Sequence, residues 1–294
     1  MIRVYFALFI GIVCVSLASI FIKLTGDVPS IIITSYRLVI SSFLLLSYSF
    51  FKRKNVFGSD RKVLLTASLG GIFLSAHFMF WIASIQYTSI PSSVTLVSTS
   101  PIFVGLFSYF ILKEKQGSAI VISIALSVFG SIVLASSDGG LFFKTFDKRA
   151  LLGDIFALLG AVAVSGYFIV GSYLRRFMDI MSYITVVYSF AAFFSFIAAL
   201  FFKEPFFGYS ESSYLYMVLL AVVPQMIGHT SFNYALKYAK TSVVAISTLG
   251  EPIGASILAY IIFKEKIILT QGFGMAVVLI SILIAAVKAK KEID

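Results

Sequence analysis

The stretch Ala76-His77-Phe78-Met79-Phe80-Trp81-Ile82-Ala83 returns later in the chain as Gly228-His229-Thr230-Ser231-Phe232-Asn233-Tyr234-Ala235. Each copy lies inside a long apolar run, and each holds one of the chain's two histidines. Two further echoes keep the same order. Leu112-Lys113-Glu114-Lys115 answers to Phe263-Lys264-Glu265-Lys266, each after an apolar run with an interior proline, Pro101 or Pro252. Phe6-Ala7-Leu8 answers to Phe156-Ala157-Leu158. Any one match is weak, but together they read as an internal duplication. Its seam is the polar stretch from Ser136 to Arg149, with Asp138-Gly139-Gly140. The repeats are therefore 1–136 and 151–294, joined by a loop over 137–150.

Around these echoes the chain is too apolar for water. Of its 294 residues 60% are hydrophobic and only 12% charged, with a mean hydropathy of +1.02. A soluble domain needs about a quarter of its residues charged, so lipid is the solvent for most of the outside. Crossing the hydrocarbon takes about 20 apolar residues as a helix. Suitable runs lie at 4–22, 31–51, 63–86, 92–112, 117–136, 151–172, 182–202, 214–237, 242–263 and 270–288. The first run, preceded by Arg3, imitates a signal peptide, but its counterpart in the second half argues for a span. The expected fold is all-α and integral to a membrane: ten transmembrane helices as two five-helix repeats. An odd helix count per half inverts the second relative to the first, an architecture recurrent among transporters.

The net charge of +10 forms no patch interleaved with aromatics, so nucleic acid is not an expected partner. Lys and Arg instead cluster between the apolar runs. With the N-terminus inside, the inner connections carry 15 of them and the outer connections 7, with Arg37 left out as lying within a helix. The positive-inside rule then places both termini in the cytoplasm, and the expected location is the cell membrane. Cys14 is the single cysteine, which excludes a disulfide or Cys-based metal framework. There is no Gly-x-x-x-x-Gly-Lys-Ser/Thr loop and no His-Glu-x-x-His motif, so neither direct ATP drive nor a metal or other cofactor is expected. Nothing in the sequence speaks to oligomeric state.

Several polar residues sit where hydrocarbon penalises them. Residues four apart share a helix face, so His77 pairs with Trp81, and Gln225, His229 and Asn233 form one stripe on the eighth helix. Unsatisfied polar groups facing lipid cost several kcal/mol, so the stripe lines a cavity or bonds to neighbouring helices; the cavity is the stronger reading. Glu251 lies near the middle of the ninth helix, where an ionised carboxylate costs roughly 2.5–3.5 kcal/mol on insertion scales. It must be protonated, paired or facing water, and is either a proton-coupling site or a structural carboxyl bonded to Arg37 or to backbone. Pro252 and Pro101 free the carbonyls of Thr248 and Val97 and break their helices. Arg37, towards the outer end of the second helix, either snorkels to the interface or binds an anionic group such as a substrate carboxylate. Small residues at four-residue spacing (Ala119, Ser123, Ser127, Ser131, Ala135) and the pair Gly250 and Gly254 read as packing surfaces. The many Phe and Tyr residues are expected mostly at lipid or the interface.

These residues resemble the EamA group of the drug/metabolite transporter superfamily over essentially the whole chain. The resemblance rests on the two five-helix halves, the proline of the fourth and ninth helices followed by a Lys-Glu-Lys end, and three runs. These are Ser35-Tyr36-Arg37, Tyr234-Ala235-Leu236-Lys237-Tyr238 and Leu249-Gly250-Glu251-Pro252. Ser100 departs from the pattern, because the family often carries Glu there; acid-based coupling then rests on Glu251. The resemblance implies a secondary transporter, often an exporter of amino acids or other small metabolites, with a central cavity between the halves. His77, Trp81, Gln225, His229, Asn233 and Glu251, with Arg37, are the expected lining for a small-molecule substrate. Two readings from other classes stay open at this point: an intramembrane enzyme using His77, His229 and Glu251, and a passive channel.

Overall fold

The computed structural model describes residues 2–88, 93, 96–136, 148–264 and 269–291. All regular structure among them is helical. The first half contributes α1 (Ile2–Leu24), α2 (Ser30–Phe51), α3 (Arg61–Tyr87), α4 (Ser100–Phe110) and α5 (Ser118–Ser136). The second contributes α6 (Lys148–Leu174), α7 (Ile180–Phe201), α8 (Glu211–Ala235), α9 (Thr241–Ile262) and α10 (Leu269–Lys291). Seven of these are long and apolar enough to cross a membrane: α1, α2, α3, α6, α7, α8 and α9. In α4, α5 and α10 the described residues give shorter apolar segments, Ser100–Phe110, Ser118–Val133 and Gly272–Ala285. In the run expected to start at 92, Ser93, Leu96 and Val97 are helical ahead of the turn at Ser98-Thr99 and the restart at Ser100, and residues 89–92 and 94–95 lie outside the described residues. So do Asp138-Gly139-Gly140, Lys144, Glu265 and Lys266. The outside is studded with exposed Phe and Leu, including Phe6, Phe43, Phe193 and Leu283, as a lipid-facing surface requires.

The packing repeats when the halves are exchanged. α3 packs on α6, and its counterpart α8 packs on α1. α4 packs on α6 as α9 packs on α1, while α2 pairs with α7 and α5 with α10. Backbone details repeat as well. α2 ends on Arg53 and α7 on Lys203, both left-handed at φ 51° and 56°. Each is closed by the same pair of bonds: Lys54 N–H to Ser49 O at 2.9 Å with Arg53 N–H to Phe50 O at 2.9 Å, then Glu204 N–H to Ala199 O at 3.2 Å with Lys203 N–H to Leu200 O at 3.1 Å. This is the Schellman closure, usually built on glycine. Lys113 and Lys264, which open the two Lys-Glu-Lys runs, are left-handed too, both at φ 58°. A basic side chain there complements the negative end of the helix dipole.

Close helix approach comes from small residues and backbone-directed hydroxyls. A side chain at Gly71 would strike the α7 backbone at Ala191, and one at Gly254 would run into Ser16 of α1. Gly130 of α5 lies against the α10 backbone at Gly274, with Ser123 and Ser127 buried on the same helix. Between α2 and α7, serines seven apart on α2 and six apart on α7 make an antiparallel polar seam: Ser35 Oγ donates to Ser195 O at 2.9 Å, and Ser42 Oγ to Ser189 Oγ at 3.0 Å. Hydroxyl bonding of this kind holds membrane helices together where no hydrophobic drive exists.

α8 departs from expectation. Its middle, Ala221–His229, is π-helical, with α-helical turns on either side. Pro224 sits inside this segment; it has no N–H and crowds the preceding turn, so the chain widens to i→i+5 bonding. Residues four apart no longer stack in register there, which rotates Gln225 relative to His229.

Candidate functional site

The helix breaks sit side by side at the centre of the bundle. α9 turns at Leu249 (φ −69°, ψ −5°) and restarts with Gly250-Glu251-Pro252; α4 turns at Thr99 (φ −77°, ψ −5°) and restarts with Ser100-Pro101. A cavity of about 80 Å³ opens between them. At about 15 Å³ per water on this measure, it has room for roughly five waters or one small ligand. Matching positions of the two halves line it: His77 and His229, Ala18 and Phe168, and Val97, Ser98 and Ser100 opposite Thr248, Leu249 and Glu251. Arg37, Phe78, Trp81 and Phe232 complete most of the wall.

Of the residues expected from sequence, Arg37, His77, Trp81, His229 and Glu251 meet at this cavity, with Pro252 beside them. Gln225 and Asn233 do not line it. Both are fully buried; the π-helical turn lies between Gln225 and His229, whereas Asn233 sits in the α-helical turns beyond it and is held by Tyr167 and Tyr188. Pro101 is buried beside Ser100, and its role is the break itself.

Arg37 does not snorkel. It is 1% exposed, lies over the Phe78 ring at 3.8 Å, and donates from Nε to Gln225 Oε1 at 2.9 Å. Its Nη1 has no hydrogen-bond partner among the described residues, and neither does Gln225 Nε2. No ion pair within 4 Å joins Arg37 to Glu251 among the described residues, although both line the cavity.

The two histidines differ in how they are held. His77 Nδ1 lies 2.9 Å from Gly160 O; a carbonyl only accepts, so Nδ1 carries the proton. Its ring lies parallel to Trp81, with centroids 6.0 Å apart. His229 is surrounded by aromatic edges, from Phe78 at 5.2 Å and Phe232 at 6.3 Å, and its Nδ1 has no hydrogen-bond partner among the described residues.

Next to the cavity, beneath His229, is a tyrosine cluster that the sequence reading assigned to lipid or interface. Tyr167, Tyr183 and Tyr188 are fully buried. Asn233 Nδ2 donates to Tyr167 OH and, at 3.5 Å, to Tyr188 OH. Arg175, also buried, donates from Nε to Asn233 O at 3.1 Å and from Nη1 to Met178 O. The one available signal was spacing: these tyrosines lie within runs of buried small and branched residues on α6 and α7.

At the end where α2, α4, α6 and α8 stop, polar contacts tie the halves together. Lys54 Nζ donates to Asp179 Oδ1 at 2.7 Å, and Arg176 Nη2 lies 3.8 Å from Glu114 Oε1. Thr241 Oγ1 donates to Glu114 Oε1 at 3.3 Å, and Ser242 Oγ to Gln116 Oε1 at 2.9 Å. Burial pushes the Glu114 carboxyl up, against the opposing pull of Thr241, Arg176 and Lys240. Burial also acts upward on Asp179, but hydrogen bonds from Lys54 and Ser182 outweigh it and hold the carboxyl at about 2. The cavity is thus walled from this end by a tyrosine cluster and then by a ring of contacts between the halves.

With this geometry in place, the chain can be compared with known proteins. The model of the EamA-like transporter family matches twice, over residues 2–136 and 151–287. The uncharacterized transporter YetK of Bacillus subtilis is 26% identical over 270 residues, covering 90% of this chain and 80% of that protein. An uncharacterized transporter of Clostridium kluyveri is 27% identical over 250 residues, 83% of this chain and 78% of the relative. One solved crystal structure superposes with a TM-score of 0.80 over 98% of both chains at 19% identity, which shows a shared fold.

Proposed function

The chain belongs to the EamA-like transporter family, and on that premise we propose that it is a secondary active transporter exporting amino acids or other small metabolites by alternating access. It spans the cell membrane with ten helices in two inverted five-helix halves, both termini cytoplasmic. Arg37, His77, Trp81, His229 and Glu251 form the substrate site, Gln225 and Asn233 support it from behind, and Glu251 is the proton-coupling group.

One observation carries this reading: the cavity is lined by matching positions of both halves, at two matching helix breaks. A site on a pseudo-two-fold axis between inverted halves can be exposed to either side by rocking one half against the other. The enzyme reading has less support, since no hydrogen bond joins His77, His229 and Glu251 to one another among the described residues.

The test is counterflow in proteoliposomes with a panel of amino acids, nucleosides and small amines, with and without a pH gradient. Saturable exchange that responds to the gradient is the expected result. Flux that does not saturate and shows no exchange would make the protein a channel, and no flux from folded, inserted protein would overturn the reading.

A further inference from the structure

Arg37 is a permanent cation placed where a cation is expensive. The desolvation of a buried charge costs several kcal/mol unless an opposite charge and hydrogen bonds offset it. The protein supplies only part of that compensation. Gln225 accepts from Nε, Phe78 offers its ring face, and no carboxylate comes within 4 Å among the described residues. Nη1 is left with no acceptor. The residue that fixes the guanidinium is in the same position: Gln225 Oε1 is taken by Arg37, while its Nε2 donor has no acceptor. Arg37 and Gln225, joined by the 2.9 Å bond from Nε to Oε1, thus each keep a buried donor, Nη1 and Nε2, with no acceptor among the described residues, and Arg37 lines the cavity.

We infer that Arg37 and Gln225 form a carboxylate-binding subsite, in which Arg37 neutralises the substrate's carboxylate and Gln225 orients the guanidinium. This rests on the transporter reading for the subsite's access to either side. A carboxylate suits it better than a phosphate. Among the described residues Arg37 is the only Lys or Arg in the cavity wall, enough for one negative charge, whereas a dianion in a site of this size calls for more. The π-helical turn at Ala221–His229 is what turns Gln225 towards Arg37 and away from the cavity, giving that irregularity a purpose. Glu251 lies on the opposing half's wall, so a carboxylate at Arg37 leaves Glu251 free for a proton or for a cationic end of the same molecule.

Trp81 is the only tryptophan of the chain and lines the cavity, so its emission reports ligand entry without any transport assay. The full-length protein in detergent is titrated with four size-matched probes: L-leucine, its amide, isoamylamine and isocaproate. Leucine and isocaproate should shift Trp81 emission saturably, with the amide and the amine weaker by at least about tenfold, as loss of a charged hydrogen-bonded contact implies. Arg37→Gln should weaken the two acids by a similar factor. Gln225→Glu, which keeps shape and supplies Arg37 with an internal counter-charge, should also abolish acid binding without lowering the unfolding midpoint. The proposal is overturned if the amide binds as tightly as the acids, if acid binding survives both substitutions, or if none of the four is bound. Counterflow of an amine with no acid binding would sink the subsite and leave the transporter reading standing. Acid binding without any counterflow would do the reverse.

Discussion

The two halves agree in backbone and disagree in chemistry. Helix pairings, left-handed helix ends at Arg53 and Lys203, and breaks ahead of Pro101 and Pro252 all recur. At the cavity the same alignment sets Ser100 against Glu251 and Trp81 against Asn233. Aligning the left-handed ends of α2 and α7 sets Arg37 against Val187. The contacts between the halves differ in chemistry from end to end: Gln116 and Ser242 pair at one end, where the matching positions in sequence are Ile267 and Pro91, while the other end is tied by Tyr36 OH to Phe206 O at 2.8 Å and Ser213 Oγ to Thr25 O at 2.8 Å. On the transporter reading proposed above, what the halves share allows rocking, and what they do not share sets the chemistry of each side of the cavity.

The sharpest way to break that comparison is to move its charge. Glu251→Gln should lower gradient-driven counterflow by at least about tenfold while the protein still inserts, because a coupling carboxyl has no amide substitute. If positions 100 and 251 are equivalent across the axis, Ser100→Glu added to Glu251→Gln should restore part of the lost flux. Wild-type flux in the single variant would remove Glu251 from the mechanism, and no recovery in the double variant would mean that equivalence ends at the backbone.

The histidines give a somewhat smaller contrast. His77 is anchored to Gly160 O and stacked on Trp81, so His77→Ala should cost about 1–2 kcal/mol of stability, read as an earlier unfolding midpoint. His229 Nδ1 has no bond to lose. His229→Ala should leave the midpoint nearly unchanged and reduce flux about five- to tenfold. Equal loss of stability in both variants would contradict the asymmetry.

Next come the contacts between the halves at the Gln116 end. Removing one hydrogen bond worth about 1 kcal/mol shifts a two-state equilibrium about fivefold. In a Cys14→Ser, Ser98→Cys background, Ser242→Ala should therefore speed labelling of residue 98 by an impermeant thiol reagent from the side of Lys54 and Gln116 by about that factor. Unchanged labelling would mean that Gln116 and Ser242 do not hold that end shut.

Much of this was legible in the sequence because membrane crossing constrains every residue of a span. The ten apolar runs, the duplicated histidine stretch and the paired prolines each follow from a one-dimensional pattern, and the helices lie where those runs are. Arg37, His77, Trp81, His229 and Glu251 were picked out by the cost of polarity in hydrocarbon, and they converge. Gln225 and Asn233 were picked out by the same rule, but the four-residue period that placed Gln225 beside His229 is altered by the π-helical turn around Pro224, and Asn233 is drawn instead into the tyrosine cluster. The tyrosine cluster went unseen because Tyr167, Tyr183 and Tyr188 meet only through tertiary packing of α6, α7 and α8, and an amphipathic ring is equally at home at an interface. The fate of Arg37 was likewise undecidable from position alone: only the bond to Gln225 and the face of Phe78 distinguish anchoring from snorkelling.

The weakest expected effect is also a difference between the halves. Asp179 caps α7, accepting from Met181 N–H and Ser182 N–H, and pairs with Lys54; the matching cap of α2 is Pro29, which offers no such acceptor. The Asp179 carboxyl lies at about 2 against an ordinary 3.8. A carboxyl depressed on folding stabilises the fold above its unfolded value and loses that contribution as pH falls through the folded one. The contribution is therefore complete above about pH 4 and fades towards pH 2. The pair is about half exposed, at 40% and 53% of the two side chains, so solvent screening holds it to about 1 kcal/mol or less. Asp179→Asn should unfold slightly earlier than wild type at pH 7 and converge with it near pH 2. A gap that instead widens with acid would show that Asp179 is a burden on the fold, and the polar tie between the halves at this end would then rest on Glu114 and Gln116 alone.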